Sequence, residues 1–260
     1  MKTKALTNLL LGLIVLAGLL GLPQIAQATP QACTPTAVHT GWITSDETWC
    51  VSTGSIHTVS DYVAIQAGVT VTIEPGITVM TDNRIYVDGD LQAVGTAAQP
   101  IIFTSEFDSG PGEWWGLMFR GGTGHLDYAT VRYSTECAIL VTNVQSGELS
   151  IENSQILDSG MHGVFITNSH VTITDTTFSG TGVDGYGYPV YISDPGSLVT
   201  LSNNTFSSNY LDRVYLTIDA MNGQNITLAP QTGLEGYMFD YWVIPSGITL
   251  TVEPGVKVMA

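Results

Sequence analysis

The sequence has 260 residues, of which 44% are hydrophobic and only 12% are charged, and its formal net charge is -16. So acidic a chain repels nucleic acid and anionic lipid, which argues against binding to either. Acidity of this kind serves solubility. It could also attract Ca²⁺, although the sequence predicts no cofactor.

The first 28 residues have the features of a secretory signal peptide. Lys2 and Lys4 precede an apolar run from Leu6 to Leu22, and Ala26-Gln27-Ala28 has the small-x-small pattern at which signal peptidase cuts. The run is short for a bilayer span, and an uncleaved N-terminal anchor is the alternative. We expect a secreted or cell-surface protein whose mature chain does not insert into the membrane.

Residues 29–61 are expected to form an N-terminal segment that caps the fold. Cys33 and Cys50 lie in this segment and could close a disulfide, which exported proteins use to tie down an end of the chain. Cys137 has no evident partner, and we expect it to pack as a small apolar residue.

A repeated pattern marks the main body of the protein, at residues 62–243. Five short stretches with alternating apolar residues each end in Gly, Asn or Asp, which tolerate a positive φ. Their turn residues are Gly89, Gly121, Asn143, Asn168 and Asp194, at intervals of 32, 22, 25 and 26 residues. The recurrence predicts one corner stacked along the chain, where Asn side chains hydrogen-bond from coil to coil.

Each stretch predicts a strand whose alternate side chains point inward. A second strand follows, as at Leu126–Tyr128, and an apolar residue returns a few positions later, as at Val131 and Ile156. A sixth stretch lies near Leu216–Ala220 with a one-residue slip. Two strands in coils of about 22–28 residues predict a solenoid with almost no helix. A sandwich of hairpins is the competing fold, but it needs hairpin turns and has no fixed coil length.

The stretch from Ile65 to Leu117 carries a family resemblance. It contains GVTVTIEPGITV from Gly68, IYVDGDLQAVGT from Ile85, PIIFTS from Pro100 and WWGL from Trp114. It resembles the opening coils of bacterial secreted right-handed parallel β-helix repeat proteins of the pectin-lyase-like superfamily. The resemblance implies an all-β, right-handed parallel β-helix. It leaves the function open, because that superfamily mixes lyases, hydrolases and adhesins.

The end of the chain repeats the beginning of the β-helix. Ile244–Met259 aligns with Ile65–Met80 at an offset of 179 positions, with about half of the residues identical. We interpret residues 244–260 as the start of a second, truncated β-helix module. The alternative is that they form the last coil and cap the first module.

Outward side chains on the first strand of each coil indicate a binding surface. The rings of Tyr86, Phe165 and Tyr191 recur at one position, where they could form a stacking platform for an extracellular polysaccharide or cell-surface glycan. Alternatively, long connections such as Gly180–Tyr188 fold over these rings and bury them.

Candidate catalytic residues are few. The resemblance implies hydrolases with a Gly-His-Gly segment, and Met161-His162-Gly163 lacks its first glycine. Asp184, Asp212 and Arg213 lie near the ends of later coils, where they could pair with one another. The histidines show no metal-ligand spacing, so no metal site is predicted. The sequence favours a non-catalytic scaffold or adhesin-like module that binds glycans; the alternative is a polysaccharide lyase or glycoside hydrolase acting on extracellular polysaccharide.

Overall fold

The computed structural model describes residues 32–145, 147–193, 197–217, 225–240, 244 and 246–260. These residues form twenty-five strands, and their one helical turn is the 3-10 turn Val51–Thr53. The all-β fold expected from the sequence is confirmed. Within this part of the chain, no helix has the length and hydrophobicity needed to cross a membrane. The proposed signal peptide and the turn residue Asp194 lie outside the described residues.

The strands stack in parallel into three rows, because successive coils add one strand to each row. Row 1 contains β6 (Ile85–Val87), β9 (Leu117–Arg120), β12 (Ile139–Thr142), β15 (Val164–Thr167), β18 (Val190–Ile192), β21 (Arg213–Leu216) and β23 (Gly236–Phe239). Row 2 contains β2 (Glu47–Trp49), β4 (Thr70–Ile73), β7 (Asp90–Val94), β10 (Thr123–Asp127), β13 (Leu149–Glu152), β16 (His170–Thr174) and β19 (Leu198–Ser202). Row 3 contains β5 (Thr78–Thr81), β8 (Ile101–Ser105), β11 (Ala129–Arg132), β14 (Gln155–Leu157), β17 (Thr177–Ser179) and β20 (Thr205–Ser207). The remaining strands, at the two ends of the stack, are β1 (Val38–Ile43), β3 (Ile56–Ile65), β22 (Ile226–Leu228), β24 (Leu250–Val252) and β25 (Val258–Met259).

The long strand β3 joins rows 1 and 3 at the N-terminal end. Its first half pairs with β5 and its second half pairs with β6, while β1 pairs along the other edge of β3. The residues expected to cap the fold therefore belong to the same sheets as the main body. The division of the chain at residue 61 stays a prediction.

The sequence predicts two strands per coil, whereas the structure has a third strand, in row 3. Its strands β14, β17 and β20 have three residues each. In each of these strands only the middle residue is buried: Ile156, Phe178 or Phe206. The sequence therefore shows an isolated apolar residue at these positions instead of the alternation that marks a strand.

The core is a continuous column of inward side chains. In row 1, Leu117 and Phe119 are fully buried, and Met118 between them is only half-buried, as the period of a strand requires. In row 3, the rings of Phe178 and Phe206 stack with their centroids 5.1 Å apart, close to the spacing of adjacent strands. Full burial of each such side chain contributes about 2 kcal/mol, so the column stabilises every coil against its neighbours.

The corner after row 1 is built from the predicted turn residues. Gly121, Asn143 and Asn168 have φ values of 76°, 57° and 46°. The Asn168 side-chain amide donates a hydrogen bond of 2.8 Å to Asn143 Oδ1 in the coil before it. Gly89 is glycine for another reason: a Cβ there would lie 2.3 Å from two carbonyl oxygens of the preceding coil.

The C-terminal strands repeat the pairing of the N-terminal strands. β22 pairs with β24 in the register of β2 with β4, shifted by 179 positions in both strands (226 against 47 and 250 against 71). The contacts repeat too: Asn225 Oδ1 accepts from the Thr249 amide at 2.8 Å, as Asp46 Oδ1 accepts from the Thr70 amide at 2.8 Å. The structural repeat thus extends back to residue 225, before the sequence similarity that begins at Ile244. The module boundary at residues 243 and 244 stays a prediction.

Candidate functional site

Six aromatic side chains form a continuous surface on the outside of row 1. We call this surface the tyrosine cluster; its members are His162, Phe165, Tyr186, Tyr188, Tyr191 and Tyr215. Phe165, Tyr191 and Tyr215 lie directly opposite one another on β15, β18 and β21. This register places their ring centroids 4.9 and 4.6 Å apart, which matches the spacing of adjacent strands.

The three stacked rings cover one another. The planes of Phe165 and Tyr191 differ by 6°, and those of Tyr191 and Tyr215 differ by 16°. Each ring face therefore rests on the next ring, which leaves mainly ring edges for solvent. Tyr215 is itself buried, and Tyr191 is half-buried. A sugar packs against a ring face, so any stacking contact must come from a neighbouring side chain.

The connection between β17 and β18 adds two rings to the stack. Tyr188 is buried, with its ring centroid 4.8 Å from that of Tyr215. Tyr186 stands at 80° to Tyr188 and at 72° to His162, and it is 53% exposed. Tyr186 therefore forms a side wall of the cluster and presents a ring surface to solvent.

Glycines allow this connection to lie close to the cluster. Gly187 has a φ of +148°, and a Cβ there would lie 1.7 Å from the carbonyl oxygen of Met161. Gly182 approaches Tyr210, which is 55% exposed and lies close enough to the cluster to act electrostatically on Tyr188. The connection lies beside the stacked rings and does not bury them all, since Tyr191 remains half-buried.

His162 is held as a neutral ring within the cluster. Its Nδ1 accepts a hydrogen bond of 3.1 Å from the backbone amide of Tyr188, and burial lowers the pKa of His162 to about 4. The lone pair of Nδ1 is therefore in use, and the proton lies on Nε2. His162 positions the connection and is not free to act as a general base.

A carboxylate lies at the edge of the cluster. The exposed Asp240 accepts a hydrogen bond from the Tyr215 hydroxyl. Burial is the main cause of the raised pKa of Tyr191 and of Tyr215, and Asp240 adds to both shifts. The two phenols therefore remain protonated at neutral pH and act as hydrogen-bond donors.

Asp184, Asp212 and Arg213 are not paired with one another, although Arg213 lies near enough to the cluster to act electrostatically on Tyr188. Arg213 Nε donates instead to Glu235 Oε2 at 2.8 Å, because β21 and β23 are adjacent. Asp212 Oδ1 accepts from the side-chain amide of Asn209 at 2.7 Å. Asp184 is exposed two residues before Tyr186. Among the described residues, no hydrogen bond or ion pair joins these three side chains to one another.

Tyr86 lies outside the tyrosine cluster, on β6. The guanidinium carbon of Arg120 is 4.4 Å from its ring centroid, and Arg120 makes hydrogen bonds of 2.8 and 2.7 Å to the Asp88 carboxylate. This arrangement covers one face of Tyr86. Met118 and Leu140 occupy the two positions between Tyr86 and Phe165 along row 1.

Cys33 and Cys50 form a disulfide at the N-terminal end of the β-helix, with Cα atoms 5.6 Å apart. With Glu74 they are the one group of three potential metal ligands found among the described residues. Disulfide sulfurs are not thiolates, so this group does not hold a metal in its oxidised form. Cys137 is free, and burial raises its pKa to about 12, which makes it a poor nucleophile.

Sequence reasoning did not single out Tyr186, Tyr188, Tyr215 or Asp240. The alternation in Gly185-Tyr186-Gly187-Tyr188 is a signal that could have drawn attention to this connection. Tyr215 was missed because the sixth stretch was placed too late: its strand is Arg213–Leu216, not a segment near Leu216–Ala220. Asp240 lies in no recognisable motif.

Two family models match the chain. The right handed beta helix region matches residues 115–229, and the pectate-lyase like beta helix domain matches residues 41–141. No curated protein and no solved structure matches it significantly. The two matches overlap and cover the coils that build the three parallel rows. With its stacked parallel strands and continuous core, the chain belongs to the right-handed parallel β-helix proteins of the pectin-lyase-like superfamily.

Proposed function

We propose that this protein is a secreted or cell-surface β-helix scaffold, adhesin-like in its role, which binds glycans through the tyrosine cluster without a catalytic step. The observation that carries the proposal is the aromatic surface itself, with Tyr186 and Tyr210 each more than half exposed. Exposed aromatic groups that also carry hydroxyls are typical of ligand-binding surfaces. The stacked strands hold most of these rings in place, so binding loses little conformational entropy.

The N-terminal disulfide supports a location outside the cytosol. Cys33 and Cys50 are bonded in the structure, and structural disulfides persist in oxidising compartments. This agrees with the signal peptide expected at residues 1–28.

The state of the candidate catalytic groups supports a role without turnover. His162 uses its lone pair on the Tyr188 amide, and Arg213 is paired with Glu235. A glycoside hydrolase typically uses two carboxyl groups within about 10 Å of each other, one of them as an acid. Asp212 accepts a hydrogen bond from Asn209 and has no hydrogen bond or ion pair with Arg213 among the described residues.

Binding assays with ring-deletion variants test the proposal. The purified mature protein is screened against pectin, alginate, cellulose, chitin and chitosan oligosaccharides, and affinity is measured for the glycans that bind. We expect Tyr186→Ala and Tyr210→Ala each to weaken binding about tenfold, because a well-packed aromatic contact contributes at least 1 kcal/mol. The matched control is Phe107→Ala, which removes a ring that is 73% exposed on another connection.

Two outcomes would contradict the proposal. One is the absence of binding to every glycan, or an equal loss of affinity in the Phe107→Ala control. The other is turnover, seen as new ultraviolet absorbance or new reducing ends, that is abolished by Asp184→Asn or Asp212→Asn. That second result would identify the protein as a polysaccharide lyase or glycoside hydrolase.

A further inference from the structure

One carboxylate contacts the tyrosine cluster, and two others lie close in sequence to exposed tyrosines. Asp240 accepts the hydrogen bond of the Tyr215 hydroxyl. Asp184 comes two residues before the exposed Tyr186, and Asp212 comes two residues after the exposed Tyr210. Each of the two exposed tyrosines, Tyr186 and Tyr210, therefore has a carboxylate two positions away in the sequence.

The arginine next to the cluster offsets only part of these charges. Arg213 acts electrostatically on Tyr188, but its guanidinium is 2.8 Å from Glu235 Oε2, and this pair is neutral as a unit. Asp184 and Asp240 have no such partner among the ion pairs of the described residues. The surface of the cluster is therefore negative.

A negative aromatic surface selects a cation. The face of a tyrosine ring attracts an ammonium group through its quadrupole, and a nearby carboxylate adds Coulomb attraction. The formal net charge of -16 on the chain extends the same preference to longer range. Polyuronates carry a carboxylate on each sugar, so this surface repels them. Neutral glycans gain nothing from its charge.

We infer that the ligand of the tyrosine cluster is a cationic amino-sugar oligosaccharide, of the class of β-linked glucosamine oligomers, bound by Tyr186, Tyr210 and Asp240. The inference rests on the proposed glycan binding and specifies its substrate class. The ammonium groups lie over the exposed rings and near the carboxylates, while the hydroxyls of Tyr186 and Tyr210 donate to the sugar oxygens. Charge complementarity at a built aromatic surface is the feature that distinguishes this ligand from other glycans.

The decisive experiment compares two oligosaccharides that differ only at nitrogen. Isothermal titration of the mature protein uses a β-1,4-linked glucosamine hexamer and the fully N-acetylated hexamer, at a pH where the amines are charged. We expect about tenfold tighter binding of the glucosamine hexamer, and a smaller difference in about 0.5 M NaCl, where screening is strong.

Variants assign the preference to the site. Asp240→Asn keeps a hydrogen-bond acceptor for Tyr215 and removes the charge, so it should weaken binding of the glucosamine hexamer about fivefold and that of the acetylated hexamer less. The matched control is Glu106→Gln, which removes an exposed carboxylate from another connection and should leave both affinities unchanged.

The outcomes separate this inference from the proposed function. Equal affinity for the two hexamers would overturn the amino-sugar assignment and leave glycan binding in place. Binding of neither hexamer, nor of any other glycan, would remove the proposed function as well. A preference for glucosamine that is insensitive to both Asp240→Asn and Tyr186→Ala would show non-specific attraction to the acidic surface, and the site assignment would be wrong.

Discussion

Two buried histidines near the N-terminal end depend on remaining neutral. His39 Nε2 and His57 Nδ1 are 2.8 Å apart, and the His39 ring stacks on Trp49 at a centroid distance of 3.9 Å. A hydrogen bond between two imidazoles needs a lone pair on one of them, and a second proton removes it. Burial lowers the pKa of His57 and also lowers the pKa of His39 to about 4, with a further contribution from His57.

The pH dependence of stability follows from these histidines and from His162. Their pKa values are lowered in the folded state, so the unfolded chain binds more protons between the ordinary pKa of 6.5 and about pH 4. The free energy of unfolding should therefore be highest above pH 6.5 and should fall as the pH is lowered towards 4. Urea denaturation at pH 7.5, 6, 5 and 4.5 measures the decline.

The contribution of His162 to the pH dependence of the free energy of unfolding can be tested separately. His162→Asn keeps an acceptor for the Tyr188 amide but cannot titrate, so the decline between pH 7 and pH 5 should shrink by about 2 kcal/mol. The control is His125→Gln, at an outward, half-buried position of β10, which should leave the decline unchanged. A slope that is the same in all three proteins would contradict the role of the buried ring.

At the scale of the element, the connection between β17 and β18 depends on Gly187. An alanine there would be strained at φ +148° and would collide with the Met161 carbonyl. Gly185→Ala is the matched control, because Gly185 also has a positive φ, of +82°, but nothing within 4 Å of the new Cβ. We expect about 1 kcal/mol of destabilisation for Gly185→Ala and about 3 kcal/mol for Gly187→Ala. Thermal unfolding compares the two, and equal losses would contradict the close approach.

The strand rows and the binding surface differ in how far the sequence predicts them. Row 1 is predictable because alternation, as at Leu117-Met118-Phe119, reports inward and outward positions directly. Row 3 is less predictable, since in strands such as Gln155–Leu157 only the middle residue is buried and no apolar alternation results. The tyrosine cluster needs Tyr186 to contact His162, which belongs to the preceding coil. That contact depends on the path of a connection, and no local pattern encodes it.

At the scale of the whole molecule, each coil contacts mainly the coils before and after it. The pairing runs without interruption from β2 to β19 in row 2. Stability in such a stack is approximately a sum of coil and neighbour contributions, so its ends open more easily than its middle. The N-terminal end has a device against this opening: the disulfide ties Cys33 to Cys50, directly after β2.

Removing the disulfide should therefore loosen one end and not the whole protein. The double variant Cys33→Ser/Cys50→Ser loses a link that spans 17 residues, and loop closure over this length contributes about 3 kcal/mol. Hydrogen exchange should then become faster in β1 to β4, and it should be unchanged from β12 to β17, because intact coils lie between the two regions. Cys137→Ala, at the free cysteine, is the control and should leave the exchange of β1 to β4 unchanged. A uniform increase over all coils would mean that the stack unfolds as one unit, and the additive description of this solenoid would be wrong.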